Sequence, residues 1–128
     1  MNILGNGVDI VENIRIKKAI TKKSFINRIF TKNEISDSKK KKFKANFFAK
    51  RFAAKESFVK ALGIGFRDNI DFKDISVIND ANGKPFIKLN PKVKDKIKKI
   101  FKVKKYNINL SISDEKNYSI AFTIISGT

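Results

Sequence analysis

The 128-residue sequence contains no cysteine, no histidine and no tryptophan, and only two prolines. Without cysteine there is no disulfide framework and no thiolate chemistry. Without histidine the usual zinc ligand sets and imidazole general bases are also missing. Ser-His-Asp and Cys-His catalysis are therefore excluded. No stretch approaches the roughly 18 uninterrupted apolar residues of a membrane span, and Met1-Asn2-Ile3-Leu4-Gly5-Asn6 has no basic segment ahead of a hydrophobic block. The expectation is a soluble, cytoplasmic protein with no membrane partner. Acidic residues are scarce as well, with 12 Asp+Glu against 29 Lys+Arg and a formal net charge of +17.

What is present is enough for a core. Hydrophobic residues make up 41% of the chain and include 12 phenylalanines, so 32% charged residues do not imply global disorder. The length fits one domain, expected over residues 1–128, or one subunit of an assembly. A charge of this size asks for a polyanionic partner: nucleic acid, an acidic protein, a phosphorylated small molecule or an anionic membrane. The abundance of Lys, Ile, Asn and Phe also matches AT-biased coding, so part of the lysine excess need carry no function.

The first apolar run, Ile3 to Ile10, alternates as a strand does. Gly5, Gly7 and Asp9 share one face and Leu4, Val8 and Ile10 the other. A face so bare admits a ligand or another backbone, or else records a tight turn or packed glycines. From Glu12 to Ile20 the period becomes helical, with Ile16, Ala19 and Ile20 inward and Arg15, Lys18 and Lys22 outward. Ser24 is placed to cap a short segment holding Phe25, Ile26, Ile29 and Phe30, and Thr31 with Glu34 has capping-box spacing. Lys39 to Lys42 then reads as an exposed loop or frayed helix end, or as a nucleic-acid or targeting signal.

The strongest helix runs from about Asn46 to Leu62, with Gly63 beyond its end. Phe48, Phe52, Val59 and Leu62 form its apolar stripe. On another face Ala49, Ala53, Glu56 and Lys60 lie near one another, and the two small residues leave room for a ligand beside the charged pair; the alternative is an ordinary surface Glu-Lys pair. Short strands at Ile75–Ile78 and Phe86–Leu89 form a hairpin through Asn82-Gly83. Asn90 and Pro91 start a helix carrying Val93, Ile97, Ile100 and Phe101 inward. Strands at Asn107–Ser113 and Tyr118–Ser126 close the chain. The class is α+β, with antiparallel hairpins packed on a long central helix.

Three segments belong together: Gly7-Val8-Asp9-Ile10-Val11-Glu12, Arg51-Phe52-Ala53-Ala54-Lys55-Glu56-Ser57-Phe58-Val59-Lys60-Ala61-Leu62-Gly63, and Asn82-Gly83-Lys84-Pro85. In this order and at these separations they closely resemble the small bacterial holo-acyl-carrier-protein synthases of the 4′-phosphopantetheinyl transferase superfamily. The resemblance extends to the final hairpin, Leu110-Ser111-Ile112-Ser113-Asp114 through Tyr118-Ser119-Ile120-Ala121. It implies transfer of the phosphopantetheine arm of coenzyme A to a serine of apo-acyl carrier protein, releasing adenosine 3′,5′-bisphosphate, for fatty acid biosynthesis.

The residues permit that chemistry. Asp9 and Glu56 are carboxylates beside open faces, and hard oxygen ligands suit Mg²⁺, which takes one or two of them together with phosphate and water. Lys60, one turn beyond Glu56, is assigned by resemblance to charge stabilisation on the phosphates. The base for the serine is Glu56, directly or through water, or a metal-bound water. By resemblance Arg51 and Lys55 meet the 3′-phosphate side of coenzyme A, Gly63 adjoins it, and Asn82, Gly83, Lys84 and Pro85 border the adenine. Some relatives have a histidine near Asp114; this chain has aspartate there, as others do, and Ser113 is the hydroxyl that the turn offers. Arg15, Lys18, Lys22 and Arg28 with Phe25 are expected to dock the acidic carrier protein. Family members of this length form trimers with the coenzyme A cleft between subunits, so a homotrimer is expected.

A basic nucleic-acid-binding module is the competing reading, from the clustered lysines and the phenylalanines between Phe43 and Phe58. Those phenylalanines have helical core spacing rather than the exposed sheet positions of a base-stacking surface.

Overall fold

The computed structural model describes residues 1–66 and 69–128. Its long central helix, α4 (Lys44–Leu62), is preceded by strand β1 (Asn2–Glu12) and three short helices, α1 (Asn13–Ala19), α2 (Lys23–Ile29) and α3 (Lys32–Ser38). After a single 3₁₀ turn at Phe72–Asp74 come β2 (Ile75–Asn79), β3 (Pro85–Leu89), α5 (Pro91–Phe101), β4 (Tyr106–Asp114) and β5 (Tyr118–Gly127). The strands form an antiparallel sheet in the order β1-β5-β4 and a separate β2-β3 hairpin. This is the expected α+β arrangement, with each predicted strand a residue or more longer.

Helix α4 lies across the inner face of the larger sheet. The glycines of β1 make this close approach possible. A Cβ on Gly5 or Gly7 would overlap the carbonyl oxygens of Ala61 and Ser57, respectively. Of the readings of that bare strand face, glycines packed against another backbone is the one found at Gly5 and Gly7. The contact is reinforced where Ser57 Oγ and Thr123 Oγ1 hydrogen bond across the interface at 2.7 Å. Strand alternation then sorts β5 cleanly: Ala121, Thr123 and Ile125 are buried beneath α4, whereas Tyr118, Ile120 and Phe122 are exposed.

The helix ends are largely those the sequence specifies. Gly63 closes α4 at φ +80°, a conformation that glycine adopts at no steric cost. Thr31 and Glu34 make the full capping box of α3, and Asn90 accepts from the Val93 amide with Pro91 in the first turn of α5. The cap expected of Ser24 is not formed. Lys22 occupies the N-cap of α2, with no side-chain bond, and Ser24 lies inside the helix. The phenylalanine-rich core is closed by Phe30, Phe47, Phe48 and Phe58, each at most 4% exposed. Burial leaves Phe47, Phe48 and Phe58 unavailable for base stacking, and Phe43, the strongly exposed phenylalanine of the Phe43–Phe58 stretch, is a single ring rather than a platform.

Candidate active site

Strand β1 and helix α4 bring together Asp9, Glu56 and Lys60. Lys60 Nζ donates to Asp9 Oδ1 and to the Val8 carbonyl, both at 3.1 Å. Asp9 is largely enclosed, its side chain 16% exposed, while that of Lys60 is 53% exposed. Partial burial pushes the carboxyl of Asp9 above its ordinary range, although the hydrogen bond and charge of Lys60, with Arg15 beyond, pull the other way. Glu56 is raised too, first by burial and then by the negative charge of Asp9, with Lys60 opposing. Two half-buried carboxylates that each resist ionisation form a seat for positive charge.

The room beside this pair does not come from the alanines. Ala49 and Ala53 are fully buried, packed into the core with Val11, Leu110 and Ala121. Their smallness lets α4 approach the sheet and opens no cleft.

The donor set fits a hard divalent cation bound jointly with its substrate. No cluster of three or more Asp, Glu, His or Cys ligands exists among the described residues, so no all-protein cage is formed. A two-carboxylate seat completed by phosphate and water is the pattern that suits Mg²⁺.

The raised pKa values also predict a stability effect. A carboxyl whose folded-state pKa lies above its unfolded value stabilises the fold below the unfolded pKa, and that contribution is lost as pH rises through the folded one. At neutral pH, ionised Glu56 is therefore a net burden. Glu56→Gln should raise Tm by roughly 1–3 °C at pH 7.5, with the gain vanishing near pH 4. A Tm that falls at pH 7.5 would contradict this.

A second site lies on the other side of α4. A cleft of about 380 Å³ is lined by Lys41, Lys42, Asn46, Lys50, Arg51, Gly83, Pro85 and Asp114, among others. Arg51 is 4% exposed, and its guanidinium lies 3.8 Å from the centre of the Phe47 ring. Its buried Nε and Nη2 have no hydrogen-bond partner among the described residues. A guanidinium with unused donors in the wall of a cleft that also holds three lysines has the chemistry to receive an anion, once a ligand reaches the sealed Nε and Nη2. Asp114 trims the charge: its Oδ2 accepts from Asn46 Nδ2 at 2.9 Å and its Oδ1 lies 3.8 Å from Lys50 Nζ.

The expected coenzyme A residues fall in different places relative to this cleft. Lys55 is fully buried and cannot reach an anion in the cleft. Its ammonium donates to Glu34 Oε1 (2.6 Å) and to the carbonyls of Ile29 (2.7 Å) and Phe72 (3.2 Å). Ser113 is paired with Ile120 on the exposed face of the sheet, because alternation puts it opposite the cleft-lining Ile112 and Asp114. Of the Asn82–Pro85 loop, Gly83 and Pro85 line the cleft but Asn82 and Lys84 do not. The amides of Asn82 and Lys84 instead donate to Asp80 Oδ1, at 2.9 Å each, and shape the turn. Gly63 is an exposed helix terminator and is not among the residues lining this cleft. Conversely Lys41 and Lys42, from the run that reads in sequence as an exposed loop, frayed helix end or charged signal, line the cleft together with Lys50 of α4.

A third feature is the surface of α1 and α2. Arg15, Lys18, Lys22, Phe25 and Arg28 line one depression, with Ala19 and Ser24 between them. All the expected docking side chains are thus neighbours. Arg15 also acts electrostatically on Asp9, so this basic surface adjoins the carboxylate pair.

The whole arrangement has counterparts. Residues 5–123 match the 4′-phosphopantetheinyl transferase superfamily, and the chain belongs to that family. Holo-[acyl-carrier-protein] synthase of Pelagibacter ubique is 55% identical over 125 residues, covering 98% of each chain. The crystal structure of holo-[acyl-carrier-protein] synthase from Neisseria meningitidis superposes with a TM-score of 0.88 at 34% identity, over 98% of this chain and 99% of that one. The Bacillus anthracis synthase, solved in complex with CoA (3′,5′-ADP), gives 0.81 at 34% identity over 98% of each chain. Within the superfamily this chain is a holo-[acyl-carrier-protein] synthase.

Proposed function

We propose that the protein transfers 4′-phosphopantetheine from coenzyme A to a serine of apo-acyl carrier protein in an Mg²⁺-dependent reaction, releasing adenosine 3′,5′-bisphosphate and serving fatty acid biosynthesis in the cytoplasm. The observation that carries this reading is the convergence of Asp9, Glu56 and Lys60 from two elements into one partly buried cluster. Asp9 and Glu56 would hold the metal, which when bound supplies charge neutralisation on the pyrophosphate and polarisation of the attacked phosphorus. Lys60 is free to turn from Asp9 to a substrate phosphate and stabilise charge developing there. Glu56, whose burial raises its proton affinity, accepts the serine proton directly or through a water. The serine oxygen forms the new P–O bond, and the bond to the nucleotide's 5′-phosphate breaks with its electron pair leaving on adenosine 3′,5′-bisphosphate.

Arg51 and its lysines would take the 3′-phosphate, with Gly83 and Pro85 beside the adenine. Glu56 and Lys60 stand about 140° and 180° around α4 from Arg51 at 100° per residue, so one coenzyme A molecule is poorly served by both sites of one protomer. Val8, Ile10, Ile120 and Phe122 leave an apolar outer sheet face between 38% and 61% exposed. Both features support a homotrimer in which the anion cleft of one subunit meets the carboxylates of the next.

The test is direct. Protein, coenzyme A, Mg²⁺ and apo-carrier protein should yield carrier protein heavier by one phosphopantetheine group, and none when the metal is chelated. Unmodified carrier protein in the complete mixture would overturn the assignment.

A further inference from the structure

Arg51 and Lys55 sit one turn apart on the same buried side of α4, yet their donors are satisfied oppositely. Lys55 Nζ has three acceptors. The buried Nε and Nη2 of Arg51 have none among the described residues. The carboxylate whose field reaches both cations is Glu34. It is fully buried and committed elsewhere: Oε1 takes Lys55 Nζ at 2.6 Å and the Thr31 amide at 2.9 Å, and Oε2 takes the Val77 amide at 2.9 Å.

We propose that Lys55 is a positioning residue that, by holding Glu34 in a buried ion pair, keeps the guanidinium of Arg51 free for a phosphate monoester in the cleft. The reason is electrostatic. A lone buried carboxylate is expensive, and so is a buried guanidinium without acceptors. Remove the ammonium, and the two remaining charges relieve each other by pairing. Arg51 is then drawn to Glu34 on the α3 side and its fork is lost to the ligand. The sequence motif that places Lys55 immediately before Glu56 thus serves the anion cleft through a third residue and not by contact.

This inference rests on the reading that Arg51 binds the 3′-phosphate of coenzyme A, and the test separates the two. Transfer rates are measured with coenzyme A and with 3′-dephospho-coenzyme A. The wild type should prefer coenzyme A, and Arg51→Met should lose that preference. If the wild type shows no preference, or Arg51→Met keeps it, the cleft reading itself fails.

With the cleft reading intact, Lys55→Met should raise the KM for coenzyme A about tenfold, the size expected for a lost charge-assisted hydrogen bond, and leave the KM for the dephospho form nearly unchanged. Lys55→Gln, which keeps a donor for the Ile29 and Phe72 carbonyls, should do the same. The double variant Glu34→Gln/Lys55→Met removes the competing carboxylate and should recover the preference to within about threefold of wild type. A merely structural lysine would lower turnover on both substrates alike. Either single variant folding with its preference intact would overturn the proposal, as would a folded double variant without the preference, or singles that fail to fold while the double succeeds.

Discussion

Asp9→Ala and Glu56→Ala should each leave the fold standing and lower phosphopantetheine transfer by about a hundredfold or more, the scale of losing one pre-organised electrostatic contact. The fold survives because these side chains hold little of it. The side-chain hydrogen bond of Asp9 comes from Lys60, a residue whose head is in solvent. Both carboxyls are raised in pKa by burial, so at neutral pH their ionised forms are carried at a cost to stability. The contrast is the buried pair of Lys55 and Glu34, where removing one partner breaks a desolvated ion pair and costs up to about 3–5 kcal/mol, less what Arg51 recovers by turning to Glu34 when Lys55 is the partner removed. Thermal melts beside Mg²⁺-dependent turnover distinguish the cases. Full metal-dependent turnover in either alanine variant would remove Asp9 and Glu56 from the site.

Elements with local causes were legible in the sequence. The period of Phe48, Phe52, Val59 and Leu62 and the terminal Gly63 define α4. Thr31 with Glu34 and Asn90 with Pro91 define two helix starts, because each cap is settled within a single turn. Ser24 fails as a cap because the polypeptide enters α2 two residues earlier, at Lys22, and a serine hydroxyl is only one of several ways to begin a helix. The outward face of β1 was also readable from alternation, although its exposure was not, since Val8 and Ile10 are as apolar as any core residue.

What could not be read were the relations set by distant segments. Arg51 and Lys55 look equivalent on a helical wheel. They differ because Glu34 arrives from α3 and meets the ammonium at 2.6 Å, leaving the guanidinium Nε and Nη2 without a partner among the described residues. Ala49 and Ala53 resemble a gap until the sheet is laid over them. Asn13 gives no sequence signal at all, yet it is buried and ties α1 to the last hairpin. Its amide donates to the carbonyls of Glu115 (2.9 Å) and Lys116 (3.1 Å) and its oxygen accepts from Ser119 (2.6 Å). Polar residues at the start of a helix read as caps, and only the return of β5 shows this one to be a clasp.

Reversing Arg15 and Lys22 to glutamate should raise the KM for acyl carrier protein by about a hundredfold at low salt while sparing the affinity for coenzyme A. Placing like charge across an interface costs several kcal/mol, and both residues line the same depression around Phe25, distinct from the Arg51 cleft. Both lie on exposed stretches of α1 and the turn after it, so their reversal removes no core contact and the melt should be little changed. Salt gives the second readout. Screening acts over about 10 Å at 0.1 M, so the defect should shrink as ionic strength rises, while the wild type itself binds carrier protein less well. The Asp9 and Glu56 variants should respond to neither salt nor carrier concentration, since their loss lies in the chemical step. Arg15 also acts on Asp9, whereas Lys22 acts on neither carboxylate, so Lys22→Glu alone is the cleaner docking variant. A carrier KM unchanged at low salt in both the single and the double reversal would make this basic face a product of lysine-rich composition, and carrier docking would then belong to another surface.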